Sequence, residues 1–262
     1  MRYVDALERE VRLKSPPRRV VSLVPSLTEA LFAFGVGDAV AAKTKVGGTK
    51  TLDVSLVVAL EPDLVVASAE ENRKEDIQAL VREGLKVYVT LPKTVAGALD
   101  LLAELAAMTG AGKKAGRIVD GAKKALAQVR KANEGRPPVR TFCPIWRNPW
   151  MTIGPGTYMH DFITVCGGAN VFEWRHERYP RVELREVAEK DPQVVLLPDE
   201  PYRFGPAHVS EIAGLRSISA VRENRIYLLE GRHLCWYGPR IAGGLRYVSA
   251  LLNGGELEGA TG

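Results

Sequence analysis

The chain has 262 residues, 46% hydrophobic and 26% charged, a composition that excludes disorder, collagen and coiled coil and leaves room for one large domain or two lobes. Lys and Arg exceed Asp and Glu by 36 to 31, a formal net charge of +5 that raises the question of a nucleic-acid partner. No run of about eighteen apolar residues is present to form a membrane-spanning helix, and the charged stretch Met1 to Pro17 lacks the apolar middle of a secretory signal.

The first predicted element is a buried strand over Arg18–Val24, ended by Pro25, which has no N–H for a sheet. Ser26 and Glu29 form an S-x-x-E capping box, and the helix Leu27–Phe34 stops at Gly35. A short strand Ala39–Ala42, a helix near Val54–Leu60, the strand Leu64–Ala67, a helix Glu75–Gly84, the strand Lys86–Thr90 and a helix Val95–Thr109 follow. A second series holds strand Val139–Pro144, helices near Tyr158–Cys166 and Leu184–Lys190, strand Val194–Leu197, a helix around Ser210–Ser217, strand Arg225–Leu229 and a closing helix Gly238–Leu252. Alternation at this spacing predicts parallel sheets with helices on their faces.

Between the series, apolar residues from Ala115 to Val129 recur at helical spacing without a Pro, which predicts one helix of about twenty residues. The expected organisation is therefore two α/β, Rossmann-like lobes, residues 1–110 and 136–262, joined by a single helix at 111–135. An internal echo supports the doubling: Glu61-Pro62-Asp63 and Asp191-Pro192-Gln193 each link a helix end to a β-branched strand, and Pro25 and Pro144 each end the first strand of their series.

The excess charge is local. Gly112 to Arg140 holds nine basic and two acidic residues, a net of +7, while the remaining 27 basic and 29 acidic residues sum to −2. With no aromatic residues interleaved for base stacking, this reads as the solvated face of one helix, and no nucleic-acid partner is expected.

Aromatic and Arg residues gather after predicted strands: Trp146, Arg147 and Trp150; Tyr202; Arg232, Trp236 and Tyr237; and, in the first series, Glu71, Asn72 and Arg73. Flat rings give large contact area and Arg gives bidentate contacts, a combination suited to a broad macrocycle or aromatic chelate. Enzyme signatures are missing: there is no GxGxxG, GxxxxGK[ST], GxSxG or HExxH, and the four histidines are scattered. The three cysteines, Cys143, Cys166 and Cys235, fit neither a disulfide framework nor a zinc knuckle.

Val20-Val21-Ser22-Leu23-Val24-Pro25-Ser26-Leu27-Thr28-Glu29, Val46-Gly47-Gly48-Thr49, Ala59-Leu60-Glu61-Pro62-Asp63, Val165-Cys166-Gly167-Gly168-Ala169-Asn170 and Gly238-Pro239-Arg240 together resemble the helical-backbone substrate-binding proteins of metal-chelate ABC importers, the class III periplasmic-binding-protein-like fold. Cobalamin binders are nearest, with siderophore and haem binders further off, and the resemblance covers about residues 1–252. It implies a monomeric extracytoplasmic receptor holding a corrinoid, haem or ferric siderophore in the cleft between two lobes, for delivery to an ABC permease. The metal belongs to the ligand, so no cofactor and no metal site of the protein itself is implied. Pro25 and Ser26 join the expected ligand-binding set, Tyr179 matches the ligand-facing aromatic of the second lobe, and Arg232 and Trp236 match two further contact positions.

The departures are specific. Ser68 stands where the cobalamin binders place a tryptophan, so one stacking partner is missing, and together with Arg232 and Trp236 at contact positions this mixture implies a different, more anionic ligand than cobalamin. The acidic permease-docking positions fall on Ser55 and Arg185, with Glu186 beside the latter as the substitute, and the segment between Lys45 and Val46 is short for the family. No leader is visible, so a cytoplasmic location stays open. So does a cytoplasmic chelate-handling protein or α/β enzyme in which Glu71, Arg73 and Arg147 act on an anionic substrate.

Overall fold

The computed structural model describes residues 1–41 and 46–254. The chain forms two compact units. One comprises Met1–Pro92, Gly97–Gly121 and Tyr237–Pro239; the other comprises Lys93–Ala96, Ala122–Trp236 and the residues from Arg240 onward.

The first unit opens with an antiparallel hairpin, β1 (Arg2–Val4) and β2 (Glu10–Arg12), followed by β3 (Val20–Ser22) and α1 (Pro25–Phe34). A glycine hairpin, β4 (Gly47–Gly48) with β5 (Thr51–Leu52), precedes α2 (Val54–Ala59), β6 (Leu64–Ser68), α3 (Lys74–Arg82) and β7 (Val87–Thr90). Strands β3, β6 and β7 form a parallel sheet with β6 central, and every residue of β6 is buried, as its unbroken apolar run requires. The strand expected at Ala39–Ala42 contributes a single parallel bridge, Val20 to Val40, among the described residues; Ala42 lies outside them.

The Ser26–Glu29 capping box is not formed. The helix begins two residues earlier: Val24 is the N-cap and Pro25 occupies the first turn, where its missing N–H costs nothing and its fixed φ suits the helix. Ser26 is thereby drawn inside, 2% exposed.

The N-terminal hairpin has no counterpart in the sequence reading. Its anchor is Asp5, a fully buried carboxylate. Oδ2 accepts from Arg9 Nε and Nη2 at 2.9 and 2.6 Å, Oδ1 accepts from the N–H groups of Leu7 and Arg9 at 2.9 Å, and Val89 N–H adds a bond at 3.3 Å. A buried charge needs this number of donors, and their arrangement seats the hairpin loop beside β7.

Helices α4 (Val95–Thr109) and α5 (Gly112–Asn133) follow, α5 running for 22 residues without interruption. Its residues through Gly121 cluster with the first unit and those from Ala122 with the second.

The second unit contains β8 (Val139–Phe142), the hairpin β9 (Pro144–Trp146) with β10 (Met151–Thr152), α6 (Tyr158–Val165), β11 (Gly168–Asn170), α7 (Leu184–Lys190), β12 (Val194–Pro198), α8 (Pro206–Ala213), α9 (Ser219–Arg222), β13 (Ile226–Leu229), α10 (Arg232–Cys235) and α11 (Ile241–Asn253). Its parallel sheet has the order β11-β8-β12-β13. Pro144 does not end the chain's extended path; it starts the short antiparallel β9, an edge position that tolerates a missing N–H. The closing helix expected over Gly238–Leu252 is α11, which starts at Ile241, and the short α10 lies ahead of it in the preceding loop.

The echoed segments match in detail. Glu61 and Asp191, each preceding a Pro, both adopt φ of 43°. The following residues, Asp63 and Gln193, each donate a backbone N–H at 2.8 Å to the start of the first strand of their own sheet, to Arg19 just before β3 and to Arg140 within β8. Beyond these matches, Val40, β3, β6 and β7 in one unit take the same order as β11, β8, β12 and β13 in the other.

Cys143 and Cys166 are buried, 1% and 0% exposed, and burial pushes both thiols up. Cys235 is half-buried.

Candidate functional site

In the first unit, the carboxyl end of β3 meets the start of α1 and the β4–β5 hairpin. A pocket of about 170 Å³ opens there, lined by Ser22, Val24, Pro25, Thr28, Gly48 and Thr49 among others. Gly47 permits the tight hairpin: its φ is +102°, and a Cβ at that position would lie 2.2 Å from the Thr51 carbonyl oxygen. Pro25 is exposed at the pocket, whereas Ser26 is turned inward and its Oγ has no hydrogen-bond partner among the described residues.

Asn72 ties this region together. Its Oδ1 accepts from Ser68 N–H at 2.8 Å, and its Nδ2 donates to the carbonyls of Leu23 and Thr49 at 3.4 and 3.3 Å. Its amide, 4% exposed, is thus committed to holding two strand ends and the hairpin in register. Ser68 is fully buried, and its Oγ accepts from the N–H groups of Glu70 and Glu71. Tyr237, 4% exposed, donates to Glu71 Oε1 at 3.3 Å. Burial raises its phenol pKa above the ordinary value, with the Glu71 charge adding to the rise. Arg73 is exposed and lies 3.8 Å from Glu75.

In the second unit, aromatic rings surround the loops after β8 and β12. Trp146, 45% exposed, meets Tyr202 edge-on at 5.4 Å; Tyr202 packs on Phe204 at 4.8 Å; and Trp150 stacks on Phe204 at 5.7 Å with planes 9° apart. His208 orders the group. Its Nδ1 accepts from Gly205 N–H at 3.0 Å, which leaves the ring proton on Nε2 in the neutral form, directed at the Tyr202 hydroxyl 3.2 Å away. Trp150 is a buried packing ring, and Trp146 is the ring that faces outward.

The arginines expected to meet an anion are each joined to an acid. Arg147 forms a bidentate pair with Glu211 at 3.0 and 2.7 Å while lying 5.1 Å over the Trp150 ring. That pairing raises the Arg147 pKa above its ordinary value. Arg232 pairs with Glu230 at 2.7 Å, which raises its pKa likewise. Glu200, not singled out from the sequence, accepts from Trp236 Nε1 at 2.7 Å and stands 3.9 Å from Cys235 Sγ. Asp199 accepts from Gly231 N–H at 2.6 Å. Arg147 is therefore matched by Glu211 of α8, and Arg232 by Glu230 with Glu200 and Asp199 also acting on its charge.

Tyr179 is half-buried with the Arg178 guanidinium 5.5 Å over its ring. Glu186 has local partners on both oxygens: Oε1 meets Arg175 Nη2 at 2.5 Å and Oε2 accepts from Glu183 N–H at the start of α7. Ser55, at one expected docking position, donates to Asp53, and Arg185, at the other, pairs with Glu189 at 3.5 Å. Within the described residues, no three His, Cys, Asp or Glu side chains are grouped to hold a metal ion.

The profile of the periplasmic binding protein family matches residues 22–232. The chain is 30% identical over 190 residues to the vitamin B12-binding protein of Salmonella typhimurium strain LT2, covering 68% of this chain and 71% of that protein. Among solved structures, the periplasmic vitamin B12 binding protein BtuF of Vibrio cholerae superposes with a TM-score of 0.79 at 22% identity, covering 91% of this chain and 97% of that one. The periplasmic heme-binding protein RhuT from Roseiflexus sp. RS-1 superposes at 0.77 and 21% identity, covering 90% and 97%. The two superpositions establish the class III periplasmic-binding-protein fold.

Proposed function

This chain belongs to the periplasmic binding protein family, and we propose from that premise that it captures a metal chelate outside the cytoplasm and presents it to an ABC importer, without catalysing a reaction. The metal arrives with the ligand. The observation that carries the reading is the exposed Trp146 ring, edge-on to Tyr202, in a unit where a second tryptophan, Trp236, is fixed by Glu200. Rings held in place lose little entropy on meeting a flat ligand.

The charge pattern selects among chelates. Arg73, Arg147 and Arg232 each have a carboxylate partner, and in the second unit Asp199 and Glu200 add negative charge near Arg232. An anionic siderophore or a haem with two propionates would have to compete with these carboxylates for the arginines. A neutral or cationic corrinoid rich in amide donors meets them as they stand. This reverses the expectation of a more anionic ligand.

The test is thermal denaturation of the purified chain with cyanocobalamin, haemin, a ferric hydroxamate and a ferric catecholate. A ligand at about 100 times its Kd stabilises by about 2.7 kcal/mol. The corrinoid is expected to raise Tm and the catecholate to leave it unchanged. No shift with any of the four would remove the chelate class; a shift with the anionic chelates alone would remove the charge argument.

A further inference from the structure

Helix α5 carries seven basic residues against one acid, Asp120. All seven are exposed, while Ala115, Val119, Ala122, Ala125, Leu126 and Val129 form its buried stripe. No ion pair among the described residues includes any of the seven. This differs from Arg140, Arg147, Arg175 and Arg232 beyond the helix, which all have carboxylate partners.

The spacing keeps the cations together. Lys113 and Arg117 are one turn apart, and the pairs Lys123/Arg130 and Lys124/Lys131 repeat every seven residues, so each pair stacks along the axis. Like charges at these separations repel, a cost that an external anion relieves. A helix of this length runs for about 33 Å, a straight row that suits a planar array of phosphates. Exposed positions beside the cations hold Gly121, Ala127 and Ala132, which let the backbone approach a plane closely, and no aromatic residue is present to stack on a base.

We propose that the exposed face of α5 is a peripheral docking surface for an anionic lipid bilayer, held by headgroup phosphates and independent of ligand capture. The surface lies on one continuous helix and needs no other element.

The test is co-sedimentation of the full chain with vesicles of equal parts phosphatidylglycerol and phosphatidylcholine, and with phosphatidylcholine alone. Binding is expected only to the anionic vesicles and is expected to fall steeply as salt is raised. Each cation at such a surface contributes about fivefold to partitioning, so Lys123→Glu/Lys124→Glu/Lys131→Glu is expected to lower it at least a hundredfold. The control Lys14→Glu/Lys74→Glu/Lys86→Glu makes the same change in net charge at exposed sites elsewhere and is expected to retain most of the binding. Absence of wild-type binding to anionic vesicles at low salt would overturn the proposal. Equal losses in the two variants would assign the effect to net charge, and displacement from vesicles by an equal phosphate concentration of duplex DNA would assign the face to nucleic acid; either result overturns it too.

Discussion

Gln193 and Arg140 hold each other by two hydrogen bonds, Gln193 N–H to Arg140 O at 2.8 Å and Arg140 N–H to Gln193 Oε1 at 3.0 Å. Asp63 and Arg19 repeat the arrangement in the other unit, with Asp63 Oδ2 accepting from the N–H groups of Arg18 and Arg19 at 2.8 and 2.9 Å. The same clasp thus sits at the pairing of β3 with β6 and of β8 with β12. Asp63→Ala and Gln193→Ala are each expected to lower stability by about 1 kcal/mol, the usual size for losing such bonds. Their effects should add in the double variant, as urea denaturation would measure.

Two neighbouring glycines in α11 are expected to respond in opposite directions. A Cβ on Gly244 would lie 2.1 Å from the His233 carbonyl oxygen, backbone that cannot step aside, whereas Gly243 has nothing within 4 Å. Gly244→Ala should destabilise by about 2 kcal/mol through overpacking. Gly243→Ala should stabilise by about 0.5–1 kcal/mol through helix propensity. Paired thermal melts check the contrast.

This contrast, like much of the site, lies beyond what sequence pattern can report. The central strands were legible because Leu64–Ser68 and Val194–Pro198 are unbroken apolar runs, which only a sheet covered on both faces accommodates. Strand β11 was not, because Gly168-Ala169-Asn170 has little strand propensity of its own. Its glycine is required by packing, since a Cβ there would sit 2.5 Å from Ile163 Cγ2. The hairpin β1–β2 alternates too weakly to announce itself, and its anchor Asp5 finds Val89 84 residues away. The tryptophan and tyrosine loops were visible as composition. The neutralisation of Arg147 was not, because Glu211 is 64 residues distant and reaches it only through the fold.

His160 is expected to make stability depend on pH. Asn170 is fixed by Ile153 O and Phe172 N–H, so its Nδ2 faces His160 Nδ1 at 3.3 Å and the ring nitrogen must accept. Burial lowers the His160 pKa below its ordinary value, opposed in part by Glu173 and Asp161. The folded state therefore binds this proton less readily than the unfolded state, in which the pKa is about 6.5. Its contribution is present above that value and is lost as pH falls toward the folded pKa. Tm measured from pH 7.5 down to 5 should decline, and His160→Gln should flatten that part of the profile.

Trp146 and Trp236 should separate ligand binding from stability. Trp146→Ala removes a ring that is 45% exposed and should weaken corrinoid binding at least tenfold with little change in Tm. Trp236→Ala should weaken binding similarly and also leave Glu200 without its indole donor. Titration calorimetry reads the affinity, and wild-type affinity in both variants would reduce the rings to packing residues.

The three thiols differ in what chemistry can reach them. Cys143 and Cys166 are sealed beneath the surface of the second unit with their thiols held protonated, so neither offers a nucleophile to an oxidant. In an oxidising compartment the chain accordingly behaves as a one-thiol protein. Cys235 alone is half-buried, next in sequence to Trp236 and 3.9 Å from the Glu200 carboxylate, so it is where a thiol reagent would be expected to add first.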